Sequence, residues 1–144
     1  MELFLIAQVA GRVVAVPAGQ VESVVDLGEC VPVPGAERAV RGLAALRSRV
    51  VTVIDTGVAL GLDPTPDSAR RAIITRLDGH HYAVLVDALE DVAPFARLPL
   101  AGLRLRRGWS AAGTALIERD GEPVLVIDLP GLLSGVANEP ARAA

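Results

Sequence analysis

Apolar residues in this chain come in short runs that break at turn residues and then resume. The first run, Phe4 to Val9, stops at Ala10-Gly11-Arg12 and resumes as Val13-Val14-Ala15-Val16. The pattern returns at Ile73-Ile74, breaks at Asp78-Gly79 and resumes as Tyr82-Ala83-Val84-Leu85. A third break, Asp120-Gly121, precedes Val124-Leu125-Val126-Ile127. Valine-rich runs joined by a Gly-containing pair predict tight β-hairpins, because glycine supplies the backbone conformation such turns need. Pro17 and Pro32 have no N–H to give a ladder, which predicts strand ends or edges at those points. Helical signal is short. GAERAVRGLAAL, from Gly35, predicts one or two turns. The segments TGVALGL and LPGLLSGV predict one turn each, with Asp55 and Asp128 near the helix starts. An aspartate there caps free N–H groups and complements the helix dipole.

The pattern occurs twice. LIAQVAGRVVAVPAGQVESVV, from Leu5, aligns with IITRLDGHHYAVLVDALEDVA, from Ile73. Gly11 falls on Gly79, Ala15-Val16 on Ala83-Val84, Glu22 on Glu90 and Val24 on Val92. Further along, Val53-Ile54-Asp55 falls on Val126-Ile127-Asp128 and Leu60 on Leu133. Two matched pairs in the same order imply a duplicated unit of about 70 residues. Two such units of short antiparallel strands point to paired β-barrels. Each alone would be marginally stable, so one cooperative body is expected. The division falls in Asp63-Pro64-Thr65-Pro66-Asp67, which reads as an extended connector. The units are then residues 1–66 and 67–136, with 137–144 as a frayed tail.

Composition narrows the function classes. Half of the 144 residues are hydrophobic, yet the only aromatic residues are Phe4, Tyr82, Phe95 and Trp109. The core must therefore be aliphatic. Net charge is −3, and all 14 basic residues are arginine. That balance does not supply the basic field of nucleic-acid binding. Cys30 is the sole cysteine, which excludes an internal disulfide and a zinc–thiolate cluster. The N-terminus carries Glu2 and no early basic residue, unlike a secretion signal. No run reaches the roughly 18 apolar residues of a membrane span. A cytoplasmic protein without direct membrane insertion is the expectation.

Candidate chemistry begins with Asp55-Thr56-Gly57, which follows a hydrophobic strand as in an aspartic protease. That chemistry needs two carboxylates sharing one proton. The repeat-related copy is Asp128-Leu129-Pro130, which cannot form the same tight loop. A dimer using one Asp-Thr-Gly per chain is the enzymatic alternative, although Val58 stands where a small residue belongs. His80-His81 sits at a hairpin turn without a third ligand nearby, so an exposed pair is expected there. No Gly-x-Ser-x-Gly or Walker loop is present. No catalytic residue, metal site or cofactor is therefore assigned. Arg104, Arg106 and Arg107 form the densest basic patch, read as a solvated loop or a dock for an acidic partner. Trp109 reads as core or as an interface anchor.

With the halves laid out, the chain resembles the CheW family of chemosensory coupling proteins. The stretches that carry the likeness are FLIAQVAGRVVAVPAGQVESVV, VRGLAALRSRVVTVIDT, RAIITRLDGHHYAVLVDALEDV and PVLVIDLPGLL. The second stretch follows a family pattern of Gly-x-x-Asn-Leu-Arg-Gly-x-hydrophobic-x-Pro-hydrophobic-hydrophobic-Asp. Gly42, Leu46, Arg47 and Asp55 are kept. Val86-Asp87 and Asp91-Val92 match in the third. Ala45 replaces the Asn, Ser48 the Gly and Thr52 the Pro, and Ser23 stands where an acid is common.

The resemblance implies a mainly β fold of two SH3-like five-stranded barrels and no catalysis. It implies two partners: the regulatory domain of a CheA-type histidine kinase and a methyl-accepting chemoreceptor. It places Val21 and Gly42 on the kinase-facing surface. It places Arg47, with the substituted Ala45 and Ser48, beside a receptor-facing groove between the barrels. It also implies recruitment to membrane-associated receptor arrays. A scaffold of the same fold serving another system is a further reading. Taken alone, Val21 reads equally as core, Gly42 as a turn with positive φ, and Arg47 as an ion-pair partner across the barrels.

Overall fold

The computed structural model describes residues 1–100 and 112–137. The strands are β1 Glu2–Val9, β2 Arg12–Pro17, β3 Ser23–Asp26, β4 Cys30–Val31, β5 Val40–Leu46 and β6 Arg49–Ile54. They continue as β7 Arg71–Leu77, β8 His80–Leu85, β9 Ala88–Phe95, β10 Gly113–Arg119 and β11 Glu122–Ile127. Among the described residues a 3-10 turn spans Ala18–Gln20, and the helices with a defined range are α1 Thr56–Ala59 and α2 Leu129–Ala137. Arg104, Arg106, Arg107 and Trp109 lie outside the described residues, as does the tail from residue 138.

Three hairpin turns form where the glycine pairs predict them. Ala10-Gly11, Asp78-Gly79 and Asp120-Gly121 all have positive φ at both residues, between 51° and 82°. That double left-handed geometry matches the twist of the strands it joins. Pro17 closes β2 and Pro32 follows β4, in keeping with their missing donors.

The segment from Gly35 does not form the helical turns its composition suggests. Its second half is β5, paired antiparallel to β6 from Leu46↔Arg49 back to Val40↔Ile54. Helix propensity is a weak prior, and here the pairing of β5 with the valine-rich β6 overrides it. Buried Ala44 faces the core with Val51 and Val53, while Leu43 and Ala45 face outward with the alternation of a strand.

The strands form two mixed sheets. One runs β10-β11-β2-β1-β9 and the other β3-β7-β8-β6-β5-β4. Each sheet contains one parallel pairing, β2 with β11 and β6 with β8. Interchanging the two sequence repeats maps one strand order onto the other and leaves β4 as an extra edge strand. The first hairpin of each repeat, β1-β2 or β7-β8, lies in the sheet completed by the other repeat's strands. The boundary of the repeat is thus not the boundary of a sheet. The architecture is the SH3-like one, although neither described strand order closes into a ring.

This exchange explains why those two hairpins are apolar on both faces. On β1, Phe4 and Ile6 fill the core on one side of the sheet, while Leu5, Ala7 and Val9 enter a central core between the sheets. On β7, Ile74 and Ala72 fill the matching core of the other sheet and Ile73 enters the central core. Strands covered on both sides need continuous rather than alternating hydrophobicity. Leu129, Leu132, Leu133 and Val136 of α2 pack into the same central core.

Candidate docking surfaces

The Asp-Thr-Gly stretch is structural at each residue. Asp55 caps α1, its Oδ1 accepting from the Val58 N–H at 3.1 Å and the Thr65 N–H at 2.9 Å. Its Oδ2 pairs with the Arg41 guanidinium at 2.8 Å. Burial opposes ionisation of this carboxyl, but hydrogen bonds from Thr65, Val58 and Arg41 outweigh it and hold the pKa below the usual range. Thr56 is buried and donates its hydroxyl to the Leu85 carbonyl at 2.6 Å. Gly57 leaves room for the Asp63 carbonyl, which would collide with a Cβ at that position. The connector is therefore folded back onto α1 rather than extended free. Thr65 is buried, its hydroxyl accepting from the Gly57 N–H at 3.2 Å, and Arg41 also donates to the Thr65 carbonyl.

Asp128 repeats the cap. The backbone N–H of Asp55 donates to Ala39 and that of Asp128 to Ala112, both at 2.7 Å. Asp128 Oδ2 accepts from the Gly131 N–H at 2.8 Å and its Oδ1 from Gln20 Nε2 at 2.6 Å. Each aspartate thus spends its oxygens on backbone N–H and side-chain donors. Neither set of partners contains a second carboxylate with which to share a proton.

The residues singled out for docking fall into separate places. Val21 follows the 3-10 turn, half-buried, with its side chain against the central core and exposed Glu22 and Ser23 beside it. Gly42 lies within β5 and is buried. A Cβ there would collide with the Val31 carbonyl, so the glycine lets β4 lie flush on β5. In strand order, β7, β8 and β6 separate β3, which follows Val21, from the strand of Gly42.

Arg47 and Ser48 form the two-residue loop between β5 and β6 and are exposed, as is Ala45. The left-handed residue of the turn is Arg47, at φ 57°, and not Ser48. Serine in place of glycine therefore carries no left-handed strain at its own position. Among the described residues Arg47 takes no part in an ion pair. His81 is less exposed than the turn alone predicts. Its ring lies between Arg49 and Glu22, with Nε2 3.3 Å from the Glu22 carboxylate, while His80 is exposed.

A surface that the sequence reading missed joins this hairpin. The register sets Val31 beside Leu43, Leu43 beside Thr52 and Ala45 beside Val50. Val31, Leu43 and Val50 are 59%, 38% and 63% exposed, a high figure for large apolar side chains that share a sheet face. The same face runs down into a mostly apolar groove of about 320 Å³ between the sheet, the Gly35–Glu37 segment and α2, with Glu37 beside Val40, Ile54, Tyr82, Leu133 and Val136 in its lining. The alternation in Leu43-x-Ala45 and Val50-x-Thr52 is the sequence signal for it, but it becomes visible only once β5 is read as a strand.

A family model described as a CheW-like domain matches residues 3–137. The chain belongs to the CheW family. A curated relative, the chemotaxis protein CheW of Thermotoga maritima, is 20% identical over 125 residues, covering 87% of this chain and 83% of the relative. The crystal structure of the scaffolding protein TtCheW from Thermoanaerobacter tengcongensis superposes with a TM-score of 0.76 at 20% identity, covering 88% of both chains. At that identity the likeness establishes the shared fold. Among the described residues, no helix of this CheW-like chain is long and apolar enough to cross a membrane.

Proposed function

We propose that this chain is a non-enzymatic adaptor that couples chemoreceptors to a CheA-type histidine kinase in the cytoplasm, at membrane-associated arrays. Membership of the CheW family carries the reading. The capped, hydrogen-bonded state of Asp55 and Asp128 supports it against a protease, because Asp55 is committed to backbone N–H groups and Arg41, and Asp128 to the Gly131 N–H and the Gln20 amide. In this reading the kinase regulatory domain docks on the Val21 segment and on the β4-β5 edge beside Gly42. The glycine acts there through the close seating of β4. The receptor enters the groove at the Val40–Ile54 end of the β5–β6 pair and extends along the pair to Ala45, Arg47 and Ser48 towards the hairpin tip. The exposed apolar row of Val31, Leu43 and Val50 supplies the area that such a contact would cover. A standard interface buries roughly 800 Å² per partner, and a partner of that size reaches well beyond any one strand.

Calorimetric titration with the purified regulatory domain of the CheA-type kinase from the same genome tests the proposal. Saturable binding that Val21→Asp abolishes, with the melting temperature retained, supports it. A folded protein that binds no kinase domain moves the function to a scaffold outside chemotaxis.

A further inference from the structure

Gln20 is the last residue of the 3-10 turn and immediately precedes Val21. Its side chain reaches across the repeat boundary to α2. Nε2 donates to Asp128 Oδ1 at 2.6 Å, and Oε1 accepts from the Leu129 N–H at 2.8 Å. Its backbone carbonyl accepts from the Thr75 hydroxyl at 2.7 Å, and Thr75 is itself buried. One side chain thus satisfies an orphan N–H of α2 and orients the aspartate that caps it. The cap of α1 is built differently. Val58, Thr65 and Arg41, which hold Asp55, all lie between β5 and the connector of the same repeat. Of these two caps, that of α2 depends on the segment that carries Val21.

Leu133 and Val136 of α2 form one wall of the apolar groove. We infer that Gln20 is a positioning residue that couples the Val21 face to the α2 wall of the groove, so that a partner on one face alters the other. This rests on the reading above, in which these two surfaces are the docking sites. The physical content is a two-point hydrogen-bonded link from a surface turn to the first turn of a helix. A partner that shifts the Val21 segment loads or releases both bonds at once. Any coupling between sites must be reciprocal, so occupancy of the groove alters affinity at Val21 by the same factor.

Amide hydrogen exchange of the full chain, free and saturated with the kinase regulatory domain, tests the inference. In the wild-type chain, kinase binding is expected to change exchange at Leu129, Gly131 and Leu132 by about fivefold or more, the lower end of ordinary coupling. In Gln20→Met, which keeps the bulk and removes both bonds, that response disappears while kinase affinity stays within about twofold, below that same range. Gln20→Asn, whose arm is too short for both contacts, gives the same result and covers the case of a poorly folded methionine variant. Persistence of the response in both variants overturns the inference and leaves the adaptor reading standing. So does a wild-type complex in which these amides do not respond. A kinase domain that does not bind at all overturns both, and calorimetry reports that outcome separately.

Discussion

Arg41 and Asp55 lie 2.8 Å apart, and the pair fastens β5, the α1 cap and the connector into one unit. Arg41 reaches the carbonyls of Thr65 and Pro66 with the same guanidinium. A carboxylate that accepts two backbone N–H bonds and an arginine is a fixed part of the scaffold. Replacing it separates structure from the suspected chemistry. Asp55→Asn is expected to destabilise the protein by about 1.5–3 kcal/mol, the range for a hydrogen bond to a charged group. Urea unfolding measures the loss, and calorimetry with the kinase domain is expected to show retained binding.

Acid unfolding follows from the same carboxyl. Its folded-state pKa lies below the ordinary value, so the folded protein holds this proton less readily than the unfolded chain. The resulting stability is fully present above the unfolded value of about 3.9 and is lost as pH falls through the lower folded value. Glu2 and Glu90, held down by their hydrogen bonds to Arg97 and to Gln8 and Arg119, act in the same direction. Stability is therefore expected to be flat above about pH 5 and to fall below about pH 4. Asp55→Asn should show a shallower fall. An identical acid profile in the variant would assign the effect to other carboxyls.

Gly57→Ala and Gly42→Ala are each expected to cost about 1–3 kcal/mol, the range for overpacking against a neighbour that cannot move freely. In both cases the obstacle is backbone, the Asp63 carbonyl for one and the Val31 carbonyl for the other. The two should differ in where the damage falls. Hydrogen exchange is expected to rise at Val58 and Thr65 in Gly57→Ala. In Gly42→Ala it should rise at the β4–β5 pairing of Cys30 with Ala44. A kinase-binding defect in Gly42→Ala together with loss of the β4 pairing would place the role of the glycine in seating that edge strand.

Leu43→Asp and Val50→Asp are expected to leave thermal stability within about 0.5 kcal/mol, as for ordinary surface substitutions. Burying such a side chain contributes about 1.5–3 kcal/mol. Each variant should therefore weaken a partner that covers this row by about tenfold or more. Titration with a fragment of the receptor's cytoplasmic tip, alongside the kinase domain, shows which partner uses the row. Unchanged binding of both would remove the row from the docking surface.

Arg47→Gly distinguishes the hairpin tip's shape from its charge. The left-handed φ of Arg47 costs roughly 1–2 kcal/mol for an L residue with a side chain. Glycine relieves it, less its own entropic cost of about 0.5–1 kcal/mol. Chemical denaturation is thus expected to find stability unchanged or slightly raised. Receptor binding is expected to fall, because the proposed contact extends along the hairpin to its tip and the guanidinium is gone from there.

Much of this architecture is written in local chemistry. The glycine pairs set three hairpins, since few residues adopt two successive left-handed positions cheaply. The repeated aspartates mark the helix starts, because a free N–H at a helix end needs an acceptor nearby. The order of matched stretches was enough to point to the family. Tertiary structure alone decided that β1-β2 and β7-β8 sit in sheets completed by the opposite repeat. A continuous apolar run records that both faces are covered, but not by which strands. It also decided that the residues from Val40 to Leu46 form a strand, because pairing with β6 outweighs a weak local preference. The link from Gln20 to Asp128 was likewise hidden, since it joins residues 108 apart in the chain, and the apolar row on β4, β5 and β6 was hidden because it needs β5 to be read as a strand. Sequence specifies local conformation through the backbone and capping needs of single residues, whereas a docking surface is made of neighbours that only the register brings together.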